Sequence, residues 1–225
     1  MKAVFVTATG TDVGKTFLAA GLIHHFRRKS QSVDAFKPVV SGYDPAKAKE
    51  SDTGVLLAAL GHPIDAPEIE RISPWRFSAP LSPDLAAKRE GRHIDFTDLV
   101  TFSQRALGGG KDMTIIEGVG GIMVPLDERH TVLDWMKTLR IPALLVAGSY
   151  LGTISHTLSA LDVLLRHDVA VAAIVVSETP GSGVSLADTV SVIARFAKPI
   201  EVVALPRLQD AAQAHPAFER IAHLL

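Results

Sequence analysis

Ala3-Val4-Phe5-Val6, then Thr7-Ala8-Thr9-Gly10-Thr11-Asp12-Val13-Gly14-Lys15-Thr16, then the apolar-periodic run 17–26: in that order the residues read as strand, phosphate loop and helix. A nucleotide's phosphates carry dense negative charge, and the first backbone N–H groups of a helix have no intrahelical partner, so they face such an anion as free donors. Gly14 lets the backbone approach closely. Lys15 supplies a point charge between the β- and γ-phosphates, and the Thr16 hydroxyl is placed to ligate Mg²⁺. The bland alternative is a chance Gly-Lys-Thr in a surface turn; the strand before it and the helix after it weigh against that. In the common G-x-x-x-x-G-K-[ST] pattern the first glycine would fall at Thr9, and the nearest glycine is Gly10, one place later. The loop therefore belongs to a variant subset.

The 225 residues suffice for one domain with a substantial core, and a second domain is not expected. Hydrophobic residues make up 47% and charged residues 21%, with a formal net charge of −1. This balance gives no sign of a nucleic-acid or membrane surface. The chain has no cysteine, which excludes disulfides, thiolate metal sites and thiol nucleophiles. The N-terminal apolar run meets Gly10 and Asp12 almost at once, unlike a secretory signal, and no apolar stretch approaches the roughly 20 residues needed to span a bilayer. A cytoplasmic protein is the expectation.

Short, nearly continuous apolar runs recur at 3–6, 33–36, 113–116, 143–147, 169–176 and 201–205, the pattern of strands buried on both faces. Helical patterns lie between them at 15–29, 54–60, 96–107, 132–139, 155–166 and 186–196, with a short closing helix at 218–225. Strand alternating with helix predicts an α/β fold whose mostly parallel sheet is covered on both faces. Ligands bind such sheets outside the carboxyl ends of the strands. The segments 7–16, 37–42, 117–121, 148–152, 177–183 and 206–208 should therefore converge on one rim. The stretch 61–91 is proline-rich and aperiodic, and Trp75, Phe77 and Leu81 mark it as an ordered excursion near the site.

Glu117 ends the buried run Thr114-Ile115-Ile116 and precedes Gly118-Val119-Gly120-Gly121, so it projects at the rim as an acidic Mg²⁺ ligand would, with close backbone approach behind it. A solvated strand-end carboxylate beside a turn is the alternative. Ser51-Asp52 before an apolar helix is, on position alone, an ordinary helix cap. Lys37 leaves a buried strand ahead of Pro38-Val39-Val40-Ser41-Gly42; it is placed either for an anionic ligand or as a snorkelling surface lysine, and Ser41 is a donor or a turn residue. His156 reads as a helix-surface or interface residue, and no histidine pair has metal spacing.

Taken jointly, Thr11–Thr16, Lys37–Gly42, Ser51-Asp52, Ser82-Pro83 with Glu90-Gly91-Arg92, Glu117–Gly121 through Pro125-Leu126, and Leu151-Gly152 resemble the dethiobiotin synthetase family, in order over nearly the whole chain and more weakly after about Leu165. The resemblance implies a P-loop NTPase-like three-layer fold in one domain, 1–225. It implies an ATP-dependent ligase that joins 7,8-diaminopelargonate and CO₂ into dethiobiotin through a carbamate, its phosphorylated anhydride and ring closure by the second amine. On that reading Lys15 and Lys37 are catalytic, and Thr16, Asp52 and Glu117 hold Mg²⁺. Asp12, Val13, Gly14, Lys15, Thr16, Glu117, Gly118, Ser177 and Pro206 bind ATP. Thr11, Ser41, the backbone of Gly118, Val119, Gly120 and Gly121, and Leu151 and Gly152 bind the substrate. The resemblance also implies a homodimer, with the substrate tail held partly by the partner near Leu151-Gly152-Thr153.

The sequence departs from the family in five places. The family loop has a glycine where Ala8 stands, so another residue, with Gly10 the candidate, must meet the turn geometry. Asp12 stands where a glutamate is usual. Ser177 stands where an asparagine reads adenine, with Val203-Ala204 in place of a glycine-acid pair, so base selectivity is expected to relax. Ser155 replaces an asparagine before His156 in the tail region. Two rival readings are a partition-type P-loop ATPase switch, disfavoured by Gly10 where its signature lysine would stand, and an inactive nucleotide-binding paralogue, disfavoured by the retention of Lys15, Lys37, Asp52 and Glu117.

Overall fold

The computed structural model describes residues 2–225. At its centre β1 (Lys2–Ala8) pairs in parallel with β5 (Met113–Glu117) on one side and β6 (Ala143–Gly148) on the other. β2 (Val33–Phe36) lies outside β5, and β7 (Val171–Ser177) and β8 (Glu201–Leu205) extend the opposite edge, all in parallel, giving the order β2-β5-β1-β6-β7-β8. Every strand expected from the apolar runs is present, with no end moved by more than two residues. The chain leaves β1 toward one edge and later builds the other, so the strand order reverses at β1. That reversal opens a crevice beyond its carboxyl end, where the phosphate loop begins.

The period of two along each strand divides the core. Val4, Val6 and Ala8 face one layer of helices, α1 (Lys15–Arg28), α2 (Asp52–Leu60), α3 (Ala66–Ile72) and α9 (Pro216–His223). Phe5, Ile116 and Leu145 face the other, α4 (Pro83–Arg89), α5 (Phe96–Leu107), α6 (Val132–Leu139), α7 (Thr153–Arg166) and α8 (Leu186–Phe196). Under β1, Trp135 meets Phe5 edge-on with ring centroids 4.8 Å apart, and its buried N–H donates to Ser103 Oγ at 3.0 Å. This geometry satisfies both the ring quadrupoles and the indole donor. α1 and α9 approach so closely at Gly21 that a Cβ there would lie 2.1 Å from the Phe218 ring.

The aperiodic stretch 61–91 is ordered, as its apolar anchors suggested, and it holds more structure than the sequence pattern revealed. It contains α3, β4 (Trp75–Phe77) and the whole of α4, and β4 pairs in parallel with β3 (Val39–Ser41) as a separate two-stranded sheet. Three-residue strands and seven-residue helices are too short for a hydrophobic period to show. Local chemistry builds them instead: the Asp65 carboxylate accepts from the Glu68 N–H at 3.0 Å, and prolines occupy the first turns of α3 and α4. Phe77 is buried, and Trp75 and Leu81 pack against the second core layer, which brings residues 80–83 beside β3 and the crevice.

Candidate active site

The loop after β1 makes its turn through two left-handed residues, Asp12 (φ 58°) and Gly14 (φ 100°). Gly14 caps the N-terminus of α1. Both its positive φ and the Ser177 hydroxyl, 2.8 Å from where a Cβ would stand, require glycine there. This corrects the expectation for Gly10, which does not have a positive φ: Ala8 ends β1 as an ordinary strand residue, and the special conformation falls at Asp12 and Gly14. Gly10 contributes its carbonyl, which accepts from Lys15 Nζ at 2.9 Å, so the ammonium folds back over the loop. Lys15 is nearly buried, and burial, with the Lys37 charge adding to it, pushes its pKa down to about 8.

At the end of β5 Glu117 is fully buried. Its Oε1 accepts from Thr16 Oγ1 at 2.7 Å and from Lys37 Nζ at 2.5 Å. Lys37 also donates to the Gly118 carbonyl at 2.9 Å and pairs with Asp52 Oδ2 at 3.0 Å. With 2% of its surface exposed, Lys37 is not the snorkelling lysine that position alone allowed. The cap role at α2 falls to Ser51, whose Oγ accepts from the Gly54 N–H at 3.1 Å, leaving the Asp52 carboxylate to turn toward Lys37. Burial raises the Glu117 carboxyl above its ordinary value despite Lys37. Burial acts the same way on Asp52, but Lys37 and Thr16 outweigh it and hold that carboxyl low. For Lys37, burial is overcome by Glu117 and Asp52, which hold its ammonium firmly charged.

These groups border a cleft of ≈ 710 Å³. Of the residues expected from the sequence, Thr11, Asp12, Gly14, Lys15, Thr16, Lys37, Ser41, Asp52, Val119 and Gly120 line it. Glu117 and Gly118 reach it through Lys37 and Thr16. Gly121 packs against the loop, where a Cβ would lie 3.2 Å from the Thr9 carbonyl, and Val13 packs against the first core layer. Ser177 touches the loop at Gly14 without lining the cleft. Leu151, Gly152 and Pro206 do not line it; Leu151 is 91% exposed. The sequence reading missed Phe17, Glu50, Pro80, Leu81 and Val124 as lining residues, and the proline-rich run with its apolar anchors was the only signal for Pro80 and Leu81.

Two buried polar atoms here have no hydrogen-bond partner, Ser41 Oγ and Glu117 Oε2. Glu117 Oε2, the Asp52 carboxylate and Thr16 Oγ1 make an all-oxygen donor set, which suits a small hard cation such as Mg²⁺. Among the described residues no group of three or more His, Cys, Asp or Glu could hold a metal. The rest of such an ion's shell would come from water or from phosphate oxygens, the usual arrangement for Mg²⁺ at nucleotide sites.

A family model described as an AAA domain matches residues 2–215. The ATP-dependent dethiobiotin synthetase BioD of Acidiphilium cryptum is 51% identical over 178 residues, 79% of this chain and 80% of that protein. The enzyme of the same name from Phenylobacterium zucineum is 44% identical over 224 residues, 99% of this chain and 96% of its own length. The chain belongs to the dethiobiotin synthetase family. Among solved structures, the cell division ATPase MinD of Pyrococcus furiosus superposes with a TM-score of 0.56 over 100% of this chain and 98% of its own, at 15% identity. The signal recognition particle receptor FtsY of Elizabethkingia anophelis gives 0.51 over 99% of this chain and 65% of its own, at 16% identity. These likenesses show the P-loop NTPase fold, whereas dethiobiotin synthetase membership rests on the close relatives. Neither the partition-type switch nor the inactive paralogue is favoured.

Proposed function

We propose that the protein, read as a single domain over 1–225, catalyses the ATP-dependent closure of 7,8-diaminopelargonate and CO₂ into dethiobiotin. Its membership of the dethiobiotin synthetase family supports the reaction. The observation that carries the site assignment is the placing of two buried lysines, Lys15 and Lys37, on one cleft beside a phosphate loop. A site that must hold a γ-phosphate and a carbamate together needs two such cations.

In this reading the loop from Asp12 through Thr16, with Val13 and Gly14, cradles the phosphates of ATP, and Lys15 neutralises the charge that builds up during transfer. Thr11, Ser41 and the backbone of Gly118 to Gly121 hold the carbamate, with the unpartnered Ser41 hydroxyl a ready donor. Lys37 faces the same anion. The carbamate oxygen attacks the γ-phosphorus and ADP leaves; the second amine then attacks the carbamoyl carbon, closes the five-membered urea ring and releases phosphate. Catalysis is mainly positioning and charge stabilisation. Thr16, Asp52 and Glu117 would hold Mg²⁺, whose chemistry is to neutralise phosphate charge. Ser177 and Pro206 border the base, and Ser177, with a hydroxyl in place of an amide, discriminates weakly among bases.

We further infer a cytoplasmic homodimer, with no nucleic-acid or membrane partner, in which the partner covers Leu151-Gly152 and helps hold the substrate tail. The exposure of Leu151 supports the interface; among the described residues no helix is long and apolar enough to cross a membrane. The test is direct: purified protein with diaminopelargonate, bicarbonate and MgATP should yield dethiobiotin, ADP and phosphate in equal amounts by mass spectrometry and phosphate assay. Tight ATP binding without ring closure would refute the reading.

A further inference from the structure

The Lys37 ammonium is closely surrounded: it donates to Glu117 Oε1 at 2.5 Å and to the Gly118 carbonyl at 2.9 Å, and it pairs with Asp52 Oδ2 at 3.0 Å. So placed, Lys37 is committed to two carboxylates and a carbonyl, and its charge is already balanced before any anion enters the cleft that it lines. It can turn to one only by releasing a carboxylate, and a fully buried Glu117 released without another cation would be left uncompensated. The groups that hold Lys37 are also the oxygen donors that suit a divalent ion. Thr16 Oγ1 and Lys37 Nζ meet on the same oxygen, Glu117 Oε1. A divalent ion held by Thr16, Asp52 and Glu117 would share both carboxylates with the ammonium, and beside the fully buried Glu117 like charges are poorly screened.

We propose that Lys37 is the standing counter-ion of the Asp52–Glu117 carboxylate pair and that a divalent cation displaces it, so that metal entry is the event that frees the ammonium for the substrate anion. The inference rests on the site reading above and deepens it: metal binding and substrate binding become one coupled equilibrium through a single side chain. The coupling is reciprocal, so each ligand tightens the other.

The test uses the full chain without nucleotide or substrate. Mn²⁺ affinity is measured by electron paramagnetic resonance at pH 8 for the native protein and for Lys37→Met, which has nearly the same shape and no charge. The variant should bind Mn²⁺ at least tenfold more tightly; a folded variant that binds no more tightly overturns the proposal. Should Lys37→Met fail to fold by circular dichroism, the native protein decides. Its Lys37 ammonium signal, followed in ¹⁵N-lysine-labelled protein and assigned by its loss in Lys37→Arg, should shift as saturating Mg²⁺ is added, and a signal that stays in place overturns the proposal. Dethiobiotin formation by the native protein is scored separately. Product without the metal effect therefore condemns the coupling alone, and no product condemns the functional reading.

Discussion

Two lysines share the cleft, but their surroundings set them apart. Lys15 has only a carbonyl for a close partner, so burial dominates and its pKa falls to about 8, whereas Lys37 sits between two carboxylates and stays charged. The sign of the pH effect follows. Between about 8 and the ordinary lysine value of 10.5 the unfolded chain holds a proton on Lys15 that the folded chain lacks, so this group makes the nucleotide-free protein more stable as pH rises through that window. Nucleotide binding runs the opposite way, because phosphates favour the charged amine. ATP affinity should be full below about pH 8 and fall by up to tenfold per unit above it, with proton uptake on binding near pH 8. Calorimetry in buffers of different ionisation enthalpy reads both, and a flat affinity from pH 7 to 9.5 would show that Lys15 does not titrate there. For Lys37→Ala, turnover should drop by about 10²-fold or more, as when a preorganised donor to developing charge is lost. Steady-state dethiobiotin formation measures it, and a variant with near-native turnover would remove Lys37 from the chemistry.

The contact of α1 with α9 decides how the phosphate-loop helix is held, and Gly21 is where it is tightest. Alanine is the better helix former by roughly 1 kcal/mol, which alone would stabilise α1. A Cβ only 2.1 Å from the Phe218 ring must push α9 away, and overpacking of this kind costs about 1–3 kcal/mol. Packing should win: Gly21→Ala lowers the melting temperature, while Gly21→Ala with Phe218→Leu recovers part of the loss, as scanning calorimetry of both would show. Such contacts also mark where the sequence stopped being readable. The long elements were legible because each repeats its period several times. Lys15, Thr16 and Glu117 were legible because a motif or a strand end places them. β3, β4, α3 and α4 are too short for any period. The part that Asp52 plays depends on Ser51 taking the cap and on Lys37 arriving from β2, a long-range meeting that local pattern does not encode and that only the family resemblance supplied. The closing of two carboxylates and the Gly118 carbonyl around the Lys37 ammonium had no sequence signal.

At the scale of the molecule, all strands of the main sheet run in parallel, so every strand-to-helix loop opens on the same rim. The turn after β6 stands beside the phosphate loop after β1 because the two strands are paired. Leu151 lies in that turn, almost wholly exposed. One exposed leucine is unremarkable on a protein surface, yet here it lies on the rim that carries the chemistry, and a second copy covering it would border the cleft. An interface that completes the substrate site predicts a separation of functions. Leu151→Glu would bury a charge against the partner and weaken association, while the phosphate loop, built wholly from one chain, would be untouched. Light scattering should then give a dimer for the native protein and a shift toward monomer for Leu151→Glu. ATP affinity should stay within about twofold, and dethiobiotin formation should fall mainly through a raised KM for diaminopelargonate, since uniform binding is what a tail contact contributes. A monomeric native protein with full activity would place the whole substrate site within a single chain.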